Sequence, residues 1–281
     1  MYKKLLLCFV LFVLSFSLYA QTKEELTQAA PAALAAEEFV LYFQPICKFN
    51  KNKICGAEVL TRWDKDGKLI SPGKFIPLFE ENGFIKALDA YVLNNTLKYM
   101  NAWQKEGLQI GFISVNISAK EVDDLEFVEY LKALIAKYNI APNMLVIEIT
   151  ETAEIKNKQT AKEFFTALKN LGVKIALDDF GDGYADLDNL KTFPYDVIKL
   201  SKKLLKNFTN KETKRELKNT IKTLKKFSLP LITEGIEYEQ EAKFLKKQGI
   251  TYAQGYFYYK PMPENDFKKL LSKNLPRYCK F

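Results

Sequence analysis

Eight short apolar runs, separated by stretches of helical periodicity, restrict the folds open to this sequence. They are Phe39–Ile46 (FVLYFQPI), Gly56–Arg62 (GAEVLTR), Ile110–Ile117, Met144–Thr150, Val173–Leu177, Asp196–Leu200, Leu229–Thr233 and Tyr252–Tyr256. Runs of this length that are apolar on both faces suit strands of a parallel sheet covered by helices. Turn chemistry around residues 50–53 joins the first two into a hairpin. Helical patterns follow at Pro72–Glu106, broken at Asn82–Gly83, then at Phe127–Tyr138, Ala161–Leu171, Arg215–Phe227, Glu239–Gln248 and Phe267–Leu271. A hairpin followed by strand–helix alternation predicts a (β/α)8, TIM-like barrel whose first strand runs antiparallel to the others. The 281 residues fit one such domain, and 48% apolar residues supply a core.

The N-terminus reads differently. Lys3 and Lys4 precede an apolar run, Leu5–Leu18, and Ala20 offers a small residue before Gln21. This is the layout of a signal peptide, or of a membrane anchor if it is not cleaved. Residues 1–20 are therefore expected to place the following domain outside the cytoplasm, in a periplasmic location, with membrane contact through this segment alone. A leader that did not function would leave the domain cytoplasmic. Residues 21–35 are Ala- and Glu-rich and read as a linker or lead-in helix, and residues 36–281 as the barrel domain. Cys47 and Cys55 flank the hairpin turn. Two readings stand: a disulfide across the hairpin, consistent with export, or two small buried residues.

The chain contains no histidine. Histidine-ligated zinc, Ser-His-Asp and Cys-His catalysis are thereby excluded, and chemistry falls to carboxylates, lysine, amides and hydroxyls. The net charge of +8 suits an anionic ligand. The lysine pairs fall on helix exteriors, as solvated charge does, and do not make a DNA-binding surface.

The acids are not scattered. Asp178 and Asp179 end the fifth apolar run, and Gly181 and Gly183 punctuate the loop after them. By itself an Asp-Asp-Phe-Gly sequence also serves as a cap on a strand-to-helix turn. In a barrel, however, Asn116, Glu148, Asp178, Asp179, Lys199 and Glu234 would all lie near C-terminal strand ends, with Glu58 and Gln254 beside them. Barrel active sites are assembled on that face. Several carboxylates in one mouth are costly unless paired or metal-bound. Oxygen and amide donors suit Mg²⁺ or Mn²⁺, and two such ions about 3.5–4 Å apart can activate water against a phosphodiester.

These residues carry a resemblance. QPI at Gln44–Ile46, Glu58-Val59-Leu60 with Arg62-Trp63, VNIS at Val115–Ser118 and EITE at Glu148–Glu151 occur in order. DDFGDGY at Asp178–Tyr184, Lys199, EGIE at Glu234–Glu237 and QGY at Gln254–Tyr256 follow. The sequence resembles the EAL-type cyclic-di-GMP phosphodiesterases over about residues 36–271. The resemblance implies hydrolysis of cyclic di-GMP, or a related phosphodiester, to the linear dinucleotide. By matched position it implies metal ligation by Glu58, Asn116, Glu148, Asp178, Asp179 and Glu234, with Asp178 bridging two ions. Lys199 would polarise the attacking water and Glu151 steady the loop after Asp179. Gln44, Leu60, Arg62 and Gln254 would contact the ligand. A homodimer through the barrel is also implied.

The chain departs from the family pattern at several points. The alanine of the signature is Val59, bulk expected beside a ligand wall. The usual Lys-Ile-Asp is Lys199-Leu200-Ser201, which loses an acid near the second metal. The loop usually Gly-Thr-Gly-Tyr-Ser-Ser reads Gly181-Asp182-Gly183-Tyr184-Ala185-Asp186, which gains two acids. Three readings follow: an active phosphodiesterase, a catalytically weakened nucleotide-binding module, and an exported interaction barrel. The retained acids favour the first.

Overall fold

The computed structural model describes residues 23–49, 53–150, 155, 157–182 and 187–273. They fall into two compact units. One is drawn from the chain up to Val40 and from Thr61–Leu88, the other from Leu41–Leu60 and from Asp89 onward.

The smaller unit is organised by aromatic residues. Helix α1 (residues 23–35) buries Leu26, Ala30 and Ala33, a spacing that puts all three on one face. Strand β1 (Phe39–Lys48) begins here, and the far end of β2 (Lys53–Lys65) pairs antiparallel with β3 (Lys68–Ile70), Trp63 opposite Ile70. Helix α2 (Pro72–Asn82) starts on a proline, which has no amide to leave unpaired, and ends at Gly83 with φ 83°. Phe39, Trp63, Phe75 and Phe79 pack with ring centroids 5.0–6.0 Å apart. The Trp63 indole N–H donates to Glu38 Oε2 at 2.8 Å, which satisfies a fully buried donor.

The larger unit contains the barrel. β2, β4 (Phe112–Asn116), β5 (Leu145–Thr150), β6 (Lys174–Phe180), β7 (Val197–Leu200), β8 (Leu231–Thr233) and β9 (Tyr252–Ala253) form a parallel series. β1 is antiparallel to β9 and pairs with β2, so the ring closes at eight strands. The antiparallel first strand is as expected. The short β10 (Met262–Pro263) adds to the outer part of β1.

Helices α3 (Ile85–Lys105), α4 (Leu125–Tyr138), α5 (Lys158–Leu171), α6 (Leu187–Thr192), α7 (Lys211–Leu224), α8 (Glu239–Lys247) and α9 (Glu264–Lys273) complete the series. Side-chain caps start several of them: Asp124 accepts from Glu126 N, and Asn210 from Glu212 N. α9 is fixed by Phe43 stacked on Phe267 at 5.3 Å and by Trp103 Nε1 donating to Glu264 Oε1 at 2.6 Å.

The barrel interior is layered. Ile46, Phe112, Val146, Ala176, Val197, Ile232 and Tyr252 form a buried apolar floor. Side chains alternate along a strand, so the next inward position lies two residues away. That position is polar throughout: Gln44, Ser114, Glu148, Asp178 and Lys199 on their strands, and Glu234 and Gln254 immediately past the ends of β8 and β9. On β2 the step runs from Gly56 to Glu58. By the same alternation Val59 faces away from Glu58. It is 3% exposed and in register with Val115. Its extra bulk lies in the helix-covered layer, not on the ligand wall where the sequence had placed it.

Cys47 is a buried free thiol, held up at about 12 by burial, so the disulfide across the hairpin is not formed. Cys55 is disulfide-bonded nonetheless. Cys8 and Cys279 lie outside the described residues. Residues 1–20 also lie outside the described residues. Among those described, no helix is long and apolar enough to cross a membrane.

Candidate active site

The polar layer is centred on Lys199. Its side chain is fully buried on β7, and its ammonium lies 2.6 Å from Glu234 Oε1, 2.8 Å from Glu148 Oε2, 3.0 Å from Asp178 Oδ1 and 3.3 Å from Glu58 Oε2. Burial works against the cation, but Asp178, Glu148, Glu234 and Glu58 outweigh it and hold Lys199 well above the usual lysine range. Burial and the neighbouring carboxylates push Glu148 and Glu234 well above the usual carboxylate range, against the opposing pull of Lys199. A single ammonium cannot neutralise four carboxylates. The site therefore has room, electrostatically, for further positive charge.

Each side chain is placed by its strand. Asn116 ends β4 beside Glu148 in the β4–β5 register, and its Nδ2 donates to Glu58 Oε1 at 2.8 Å. Gln254 Nε2 donates to Glu58 Oε2 at 2.6 Å and to Gln44 Oε1 at 3.1 Å. Gln44 Nε2 donates in turn to the Tyr259 carbonyl at 3.1 Å. Glu58 is thus oriented from both sides.

The end of β6 needs a special device. Consecutive strand residues point to opposite faces, yet Asp178 and Asp179 both serve the mouth. The β6–β7 register shifts between Leu177 and Phe180, and Asp179 sits at φ 53°, in the left-handed region. This bulge re-aims the second acid. Burial, Asp178 and Asp182 raise the Asp179 carboxyl to about 6.

The acids form two trios. One ligand oxygen from each of Glu58, Glu148 and Asp178 lies within 4.8 Å of the others, and the same holds for Asp178, Asp179 and Glu234. Asp178 belongs to both. Glu148 Oε1 is buried without a hydrogen-bond partner, an orphaned acceptor of the kind a cation satisfies. The donors are all oxygen, a set that fits a hard divalent ion.

The structure thus gathers Gln44, Glu58, Asn116, Glu148, Asp178, Asp179, Lys199, Glu234 and Gln254. Leu60 lies half-buried, two residues beyond Glu58 on the same strand. Arg62 belongs to the smaller unit, where its Nη1 donates to the Thr61 carbonyl at 2.8 Å. Glu151 lies outside the described residues. The sequence reading missed one connection. Ser201, 1% exposed, donates its hydroxyl proton to Asp182 Oδ1, and Lys203 Nζ lies 2.7 Å from Asp182 Oδ2. The two departures from the family pattern touch each other.

The sequence model of the EAL domain matches residues 27–261. The chain is 30% identical over 244 residues to the probable cyclic di-GMP phosphodiesterase PdeB of Escherichia coli, covering 86% of this chain and 46% of that protein. It is 31% identical over 247 residues to the cyclic di-GMP phosphodiesterase PdeR of the same organism, covering 87% and 37%. The chain spans about a third to a half of the length of these relatives. Among solved structures, the PaMucR phosphodiesterase in complex with c-di-GMP superposes with a TM-score of 0.81 at 27% identity, covering 86% of this chain and 99% of that one. With the match running over most of its length and the acidic mouth in place, this chain belongs to the EAL domain family.

Proposed function

We propose that the barrel is a divalent-metal-dependent phosphodiesterase that opens cyclic di-GMP to the linear dinucleotide. The observation that carries this reading is the pair of acidic trios sharing Asp178, with Lys199 between their carboxylates. Mg²⁺ or Mn²⁺, bound as two ions, would supply an activated water and charge stabilisation for the phosphoryl oxygens. Glu58, Asn116, Glu148 and Asp178 hold the first ion. Asn116 is oriented for this by its amide N–H bond to Glu58, which leaves the carbonyl oxygen as the donor. Asp178, Asp179 and Glu234 hold the second. Lys199 stays charged, keeps the carboxylates from repelling one another, and polarises the attacking water. Gln254 and Gln44 fix Glu58 and, with Leu60, contact the nucleotide.

The same reading extends to location and assembly. The basic-apolar leader and the Cys55 disulfide together support a domain outside the cytoplasm, since disulfides persist in oxidising compartments. A reporter active only outside the cytoplasm, fused after residue 40, tests this. A homodimer through the barrel completes the proposal, and light scattering tests it.

Mass spectrometry of the purified domain incubated with cyclic di-GMP and Mn²⁺ decides the activity. A metal-dependent product one water heavier is expected. Nucleotide bound but left intact would make the protein a receptor, and no binding at all would leave an interaction barrel.

A further inference from the structure

Against the pattern of the family the sequence resembles, Ser201 stands where an acid is usual and Asp182 where a hydroxyl is, and the two side chains are in hydrogen-bond contact. Ser201 is fixed from several directions. Its N–H donates to the Phe180 carbonyl at 3.1 Å, and its hydroxyl accepts from Lys203 N at 3.2 Å while donating to Asp182. Asp182 is fixed as closely. Its N–H donates to the Asp179 carbonyl at 3.0 Å, closing the turn in which Asp179 takes its left-handed conformation. Gly181 between them has φ 98°, and a Cβ there would meet Leu204 at 2.8 Å, so the turn has one tight path.

We propose that the carboxylate and the hydroxyl have exchanged places between the ends of β6 and β7. On this account Asp182 is a positioning residue for the trio of Asp178, Asp179 and Glu234, carrying the negative charge that position 201 lacks. Buried Ser201 sets the direction of the carboxylate. Lys203 does less, because its side chain is 59% exposed and an exposed ion pair is weak. The inference rests on the metal-dependent reading above and deepens it: the altered loop is a compensated pair, not a loss of the second cation position.

The exchange makes a prediction that independent departures do not. Ser201→Asp alone sets two carboxylates against each other and should lower the melting temperature without tightening metal binding. Asp182→Thr alone should weaken the weaker of two Mn²⁺ binding events about tenfold or more, the scale on which residues supporting metal ligands act. The double variant Asp182→Thr/Ser201→Asp should return to within about threefold of wild type. Calorimetric Mn²⁺ titration without nucleotide, with thermal unfolding of each protein, measures this. Asp182→Asn keeps an acceptor for Ser201 and removes only the charge, so it replaces Asp182→Thr if that variant fails to fold. Unchanged Mn²⁺ affinity in Asp182→Asn, or tighter binding in Ser201→Asp alone, overturns the exchange while leaving the phosphodiesterase reading intact. No Mn²⁺ uptake by the wild type overturns both.

Discussion

Lys199 and Glu148 form an ion pair at 2.8 Å in which neither side chain exposes more than 1% of its surface. Truncating one partner of such a pair strands the other, at a cost of about 3–5 kcal/mol. Here the stranded partners are four. Lys199→Met should therefore lower the stability of the metal-free protein by at least that amount, and Mn²⁺ should restore part of it by replacing the lost charge. Turnover should fall far more than nucleotide affinity, because the proposed role is exercised on the attacking water. Thermal unfolding with and without Mn²⁺, alongside kinetics, checks both parts. A variant that turns over normally would remove Lys199 from the chemistry.

Glu58 carries more than one task, since it accepts from Asn116 and Gln254 and faces Lys199. Glu58→Ala should abolish hydrolysis, lowering the rate more than about 100-fold, beyond the usual effect of residues that merely support a metal ligand. Glu58→Gln keeps the volume but sets an amide against two amide donors, so it should not recover the activity. Product analysis at saturating Mn²⁺ tests this, and hydrolysis surviving in Glu58→Ala would refute its assignment as a ligand.

Much of this site was legible because strand ends are short and apolar, and the polar residue closing each run stands out. Glu148, Asp178, Lys199 and Glu234 were all visible this way, as was the antiparallel β1. What was not legible depends on geometry that spacing does not encode. The outward face of Val59 follows from the pairing register. The bulge at Asp178–Asp179 shows only in the shifted β6–β7 pairing. The Ser201–Asp182 contact joins residues nineteen apart in sequence, and each alone read as damage. β3 and β10 were missed because strands of three and two residues carry no periodicity.

Gly56 marks the boundary between the apolar floor and the acidic layer. A Cβ at this position would lie 2.3 Å from the Phe112 carbonyl oxygen and 2.7 Å from its ring, so the backbone itself is in the way. Gly56→Ala should destabilise the barrel by about 1–3 kcal/mol or more, as overpacked cores do. Glu58, two residues on, would be displaced with its strand, so Mn²⁺ affinity should fall as well. Chemical denaturation and Mn²⁺ titration measure the two effects, and a variant of unchanged stability would mean that β2 can shift freely.

The cysteines give a prediction in two parts. Cys47 is buried on β1, and burial raises its thiol from 9.0 to about 12. In the unfolded chain the thiol ionises near 9, so its contribution to stability is complete below that pH and is lost as pH rises through 12. Native protein at pH 8 should therefore resist alkylation at Cys47, and denaturant should expose it. Cys55 should be protected differently, by its disulfide. Peptide mapping without reductant, on protein from an oxidising compartment, should show Cys55 in a linked peptide and an unmodified Cys47. Cys55→Ser should lower the melting temperature of oxidised protein and leave reduced protein nearly unchanged. A linked Cys47–Cys55 peptide would reverse the assignment.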